Sequence, residues 1–173
     1  MPSLLLHPVD ACWVPDDQGS FVHDLTRLGL IGTACEDGFR AGQRFLELVM
    51  FLGCSPQVSL DPPPAGDSQP VCRLVLHSHS GVQFLSAKPR PAVRCPHCRL
   101  QAEVTEGAAH DSPYICGCGR SSALSGLDWR RGAGFGRFFL EISGIYPHEA
   151  VPADKLLECL RHTAGTDWRY FYR

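Results

Sequence analysis

Four cysteines carry the clearest chemistry in this chain of 173 residues. Cys95 and Cys98 stand as C-P-H-C, seventeen residues intervene, and Cys116 and Cys118 follow as C-G-C. Two short sulfur-bearing turns at that spacing can close on one ion, because thiolates are soft ligands and zinc takes four of them tetrahedrally at about 2.3 Å. The expectation is one structural Zn2+. Such a shell is closed, leaving no position for water and no Lewis-acid chemistry at the metal. Four metal-free thiols are the poorer reading, since packing does not explain two close cysteine pairs flanked by Gly and Pro. His97 or His110 could replace one sulfur if the single-residue spacer of C-G-C strains its turn.

From Ala92 to Ala123 the sequence resembles the zinc-ribbon modules of RNA polymerase subunits, transcription factors, ribosomal proteins and unrelated enzymes. Cys95-Pro96-His97-Cys98-Arg99 is similar to a ribbon's first knuckle, and Cys116-Gly117-Cys118-Gly119-Arg120 to a second one shortened by a residue. The resemblance is confined to that segment.

Charge singles out the same region. Residues 86–140 hold eight Lys or Arg against four acids, whereas residues 1–85 hold four Arg against nine Asp or Glu. Arg94, Arg99, Arg120, Arg130 and Arg131 surround the cysteines and are the candidates for contact with a partner or with nucleic acid. Against nucleic acid stand the slightly acidic chain, net −2, and the lack of stacking aromatics within the knuckles.

Other chemistry-bearing residues have plainer explanations. His77 and His79 would share one face of a strand and could hold a second metal or act as acid and base, but Ser78, Ser80 and Gly81 make the segment read as a hairpin end. Gly132, Gly134 and Gly136 look like a phosphate loop, yet a strand rather than a helix follows them. His148-Glu149 is a lone pair, and Cys54 in Gly53-Cys54-Ser55-Pro56 has no base nearby in sequence and reads as a buried thiol. No catalytic residue is assigned.

Composition, 44% apolar and 20% charged, is that of an ordinary globular chain. The first residues are too short an apolar run for a signal peptide, and the longest apolar stretch, 45–54, falls far short of the ~20 residues of a membrane span. Five scattered cysteines besides the four argue for reduced thiols and a cytoplasmic setting rather than a disulfide framework.

The elements around the ribbon predict an α+β body: a small mixed or antiparallel sheet with two helices, built from residues 1–91 and 124–173 together, with the ribbon at 92–123 inserted. Strands are expected at 4–6, 12–14, 45–52, 71–76, 82–85, 138–143 and 168–172. One helix is expected from a Ser20 cap to Gly29 or Gly32, the other from Pro152 to Gly165 with Leu156, Leu157 and Leu160 buried. Residues 61–70 read as a proline-rich loop. The function expected is that of a zinc-stabilised binding or adaptor protein without catalysis, engaging a protein partner, with nucleic-acid binding second and an enzyme using His77 and His79 third.

Overall fold

The computed structural model describes residues 1–53, 58–60, 71–105 and 107–173. Among them, twelve strands and three helices run in the order β1 (Ser3–Pro8), α1 (Gln18–Leu28), β2 (Ile31–Cys35), β3 (Gly38–Ala41), α2 (Phe45–Leu48), β4 (Val49–Phe51), β5 (Leu74–Ser86), β6 (Val93–Arg94), β7 (Gln101–Ala102), β8 (Pro113–Ile115), β9 (Ser121–Ala123), β10 (Ala133–Ser143), β11 (Ala150–Pro152), α3 (Asp154–Ala164) and β12 (Trp168–Tyr172). Six strands form one antiparallel sheet in the order β12-β1-β10-β5-β3-β2. This overturns the expected α+β body with two helices: the structure is sheet-dominated, and one of its three helices is a single turn.

Alternation along the central strands sets the core. Leu4 and Leu6 of β1, Phe138, Leu140 and Ile142 of β10, and Trp168 and Tyr172 of β12 point to one face, where Phe21 and Leu25 of α1 and Leu156 and Leu160 of α3 close over them. Leu5, Phe139 and Phe171 pack together on the other face. A third cluster joins Phe135 of β10 to Val93, Ala102, Leu124, Leu127 and Trp129 of the cysteine-bearing region.

Local chemistry explains where the elements begin and end, and where expectation failed. Asp17, not Ser20, caps α1: its carboxylate accepts from Gly19 N–H at 3.2 Å and Ser20 N–H at 2.9 Å. Gly29, at φ 83, ends it by donating back to Thr26 O. The all-apolar run at 45–52 hides a change of period: α2 buries Phe45 and Leu48 three apart, and only then does β4 pair with β11. Pro152 closes β11 instead of opening α3, whose left-handed stop is Gly165, as expected. No strand forms at 12–14, and β2 and β3 form where none was assigned. The two strands expected around a turn at 77–81 are one strand, β5. It stays continuous because β10 pairs with both halves, Gly136 opposite Gln83 and Phe138 opposite Ser78, so a bulge absorbs the intervening residues. The expected loop at 61–70 lies outside the described residues.

Of the glycines of the supposed phosphate loop, Gly134 and Gly136 are strand residues of β10 and Gly132 lies in the bend just before it. Gly134 is one that packing demands, since a Cβ there would lie 2.5 Å from His7 Nε2 and 2.7 Å from Phe171 Cε1. Gly134→Ala is therefore expected to cost about 1–3 kcal/mol in urea denaturation, while Gly81→Ala, with open space around it, should stay within about 0.5 kcal/mol of wild type.

Candidate metal centre

Each cysteine pair is held in a tight turn between two short strands. In the first, between β6 and β7, Cys95 N–H donates to Leu100 O at 2.9 Å and Arg99 N–H to Cys95 O at 3.0 Å, with Arg99 in the left-handed region at φ 66. The second, between β8 and β9, repeats the plan one residue shorter. Cys116 N–H donates to Arg120 O and Gly119 N–H to Cys116 O, both at 2.9 Å, and Gly119 supplies φ 82. Glycine adopts that conformation without the Cβ clash, so the shortened spacer is accommodated by backbone rather than by exchange of a ligand.

The two turns bring all four Sγ atoms within 4.8 Å of one another. Cys98 and Cys116 sulfurs are 3.4 Å apart, and those of Cys95 and Cys118 are 4.0 Å apart. A tetrahedron with bonds of about 2.3 Å has edges of about 3.8 Å, which these separations bracket. The four cysteines therefore make a cluster compatible with zinc. His97 is exposed on its turn, and His110 lies 3.9 Å from Cys12 Sγ, so neither replaces a sulfur.

The thiols influence one another strongly. Backbone N–H donation from Cys98, opposed by desolvation, brings the Cys95 thiol down to about 7, so one thiolate forms readily. Cys116 goes the other way, to about 12: the Cys118 backbone N–H favours its thiolate, but the Cys98 side chain, desolvation and the remaining sulfurs outweigh it. Four negative sulfurs in this space need a cation among them.

The remaining described cysteines, Cys12, Cys35, Cys72 and Cys159, are free thiols as well. Cys72 alone of these is buried, and desolvation pushes its thiol up to about 12, which makes it inert. Cys54 lies outside the described residues.

The five arginines do not form one surface. Arg99 pairs with Asp128 at 3.0 Å, Arg130 N–H donates to the same carboxylate at 2.9 Å, and Arg94 pairs its backbone with that of Asp128. Arg131 turns away and lays its guanidinium 4.7 Å from the centre of the Tyr170 ring. Arg120 is exposed on the second turn. Asp128 organises the group, and its only sequence signal is an acid beside Trp-Arg-Arg in a basic stretch.

His77 and His79 lie on β5 with parallel rings, 6.4 Å between centroids. His77 Nε2 lies 2.7 Å from Glu141 Oε2, whose other oxygen accepts from Ser3 Oγ at 2.5 Å. The cysteines are the one group of three or more ligand-type side chains gathered among the described residues, so no second metal cluster forms here. His148 and Glu149 belong to a turn in which the Glu149 carboxylate accepts from Tyr146 N–H at 3.0 Å.

No family model, no curated protein and no solved structure matches the chain.

Two predictions follow from these ionisable groups. Replacing Cys95 and Cys116 with Ser should abolish cobalt(II) binding with its thiolate charge-transfer bands, while Cys72→Ser keeps one cobalt per chain. The His77 hydrogen bond, then Ser3, hold the Glu141 carboxyl down to about 2, below its ordinary 4.5. A depressed carboxylate stabilises the fold above the ordinary value and loses that contribution as pH falls from 4.5 toward 2. Because His77 is 36% exposed and the pair is screened, Glu141→Gln should cost on the order of 1–2 kcal/mol at pH 7. The gap between variant and wild type, read by urea denaturation at stepped pH, should close through that window.

Proposed function

We propose that the chain is a zinc-stabilised, non-catalytic binding protein of the cytoplasm that recognises a protein partner through its cysteine-bearing ribbon. On this reading residues 92–123 are an inserted module, residues 1–91 and 124–173 form the body that carries it, and one structural Zn2+ holds the turns. The observation that carries the proposal is apolar exposure beside the metal ligands: Ile115, next to Cys116, is 75% exposed, and Leu100, two residues past Cys98, is 60% exposed. Large aliphatic side chains left exposed beside the cysteine turns are what a protein surface can cover. The free thiols, exposed Cys12 among them, suit a reducing compartment.

Nucleic-acid binding has less support. Arg99 is paired with Asp128, which leaves fewer unpaired cations beside the cysteine turns to displace counterions from a phosphate backbone.

The proposal is tested by affinity capture with wild type and with a Leu100→Glu, Ile115→Glu variant, followed by reconstitution with the purified partner. The variant is expected to retain one zinc and wild-type stability while binding at least ~100-fold more weakly, an effect of the size seen when central apolar contacts are lost. Equal binding by the variant, or binding to oligonucleotides that falls steeply with salt, would contradict it.

A further inference from the structure

The geometry points to a second binding site, a cleft of about 410 Å3 between the ribbon and strands β1 and β12, that takes the oxyanion of a small phosphorylated or carboxylated molecule. The site goes beyond the partner-binding reading, since neither Leu100 nor Ile115 lines it. Pro96 of the first cysteine turn, Asp128, His7, Arg131, Arg169 and Tyr170 are among the residues that line it. The volume lies in the range of small-molecule sites, about 300–1,000 Å3.

Charge selects the ligand. Two guanidiniums, Arg131 and Arg169, line the cleft against a single carboxylate, Asp128. That carboxylate is already engaged by Arg99 Nη1 at 3.0 Å and by Arg130 N–H at 2.9 Å. The cleft is thus positive in a chain of net charge −2. Arginine forks match the paired oxygens of carboxylate and phosphate, so a cleft lined by two arginines has an oxyanion as its complementary group.

His7, paired with Arg169 across β1 and β12, adds a neutral polar side chain to the lining. It is 7% exposed, its Nδ1 lies 2.9 Å from Pro8 O, and burial first, then the Arg169 charge, lower its pKa to about 4. Gly134 leaves room for this imidazole, as the 2.5 Å approach of a hypothetical Cβ shows.

Backbone conformation is committed to the same arrangement. Arg130 and Arg131 stand consecutively in the left-handed region, at φ 51 and φ 56, a conformation costly for residues with a Cβ. The Asp128 carboxylate accepts from the Arg130 N–H, Tyr172 N–H donates to Arg131 O at 3.0 Å, and the Arg131 guanidinium lies over the Tyr170 ring. Arg131 is thereby held beside β12, the strand that carries Arg169, and both line the cleft. An oxyanion between the two arginines gives that conformation a purpose.

The test uses the zinc-loaded full chain, labelled with 15N, and titrates inorganic phosphate, benzoate and, as an ionic-strength control, chloride. Phosphate or benzoate is expected to produce saturable shifts at the amides of Arg131, Gly134 and Tyr170. Affinity should fall at least ~10-fold in Arg169→Gln and stay unchanged in Arg161→Gln on the exposed end of α3. Arg131→Lys, which keeps the charge but loses the fork, is expected to weaken binding while the spectrum elsewhere stays that of wild type. The assignment is overturned if neither anion saturates, if chloride gives the same shifts, or if Arg169→Gln binds as wild type. It is also overturned if only a single-stranded oligonucleotide binds, since the site would then read a nucleic-acid backbone.

Discussion

Four thiols drawn within 4.8 Å of one another are the constraint on which the cysteine-bearing region depends. The Cys95 thiolate forms there easily while that of Cys116 is opposed, so a cation among the sulfurs would relieve the conflict and bind the two turns together. The surrounding strands need such a clasp. β6 and β7 have two residues each, β8 and β9 three each, and hairpins of that length do not hold themselves together in water. A tetrathiolate zinc contributes on the order of 10 kcal/mol or more to folding in finger peptides, which dwarfs what these strands bury. Trp129 and Phe135 then connect the cysteine-bearing region to β10 in one packed cluster.

Legibility differed between site and fold for a physical reason. The metal cluster was readable because ligand type and spacing are local, and because Gly and Pro mark the turns that bend sulfurs inward. The terminal strand β12 and the stop of α3 were readable for the same cause: alternation of Trp168, Tyr170 and Tyr172, and a glycine placed to adopt φ 66. What sequence could not show was decided by partners far along the chain. Ser78 to Gly81 has the composition of a turn, yet β10 holds both flanks of it in one strand. Ile31–Ala41 carried too few apolar residues in alternation to stand out, and it became two strands because the edge of the sheet at β5 was there to receive them. Phe45–Leu52 was apolar throughout, so its period was invisible.

The arginines show how the fold redistributes charge that the sequence presents as one block. A single acid, Asp128, collects a guanidinium from the first turn and a backbone N–H from Arg130, and ties its own backbone to Arg94. Arg131, three residues on, lies instead against Tyr170 and lines the cleft together with Arg169. One acid thus pairs with the charge beside the cysteine cluster, while Arg131 and Arg169 line the cleft. Because Pro96 and Asp128 both line that cleft, its shape is tied to the integrity of the metal turns.

The central claim is that these four sulfurs are the ligands of one zinc ion. X-ray absorption at the zinc edge, on protein purified without added metal, tests it most directly. The account predicts a single zinc per chain with four sulfur neighbours at about 2.3 Å and no nitrogen or oxygen in the shell. A shell containing imidazole or water, or protein that carries no zinc and has its cysteines joined as disulfides, would contradict it.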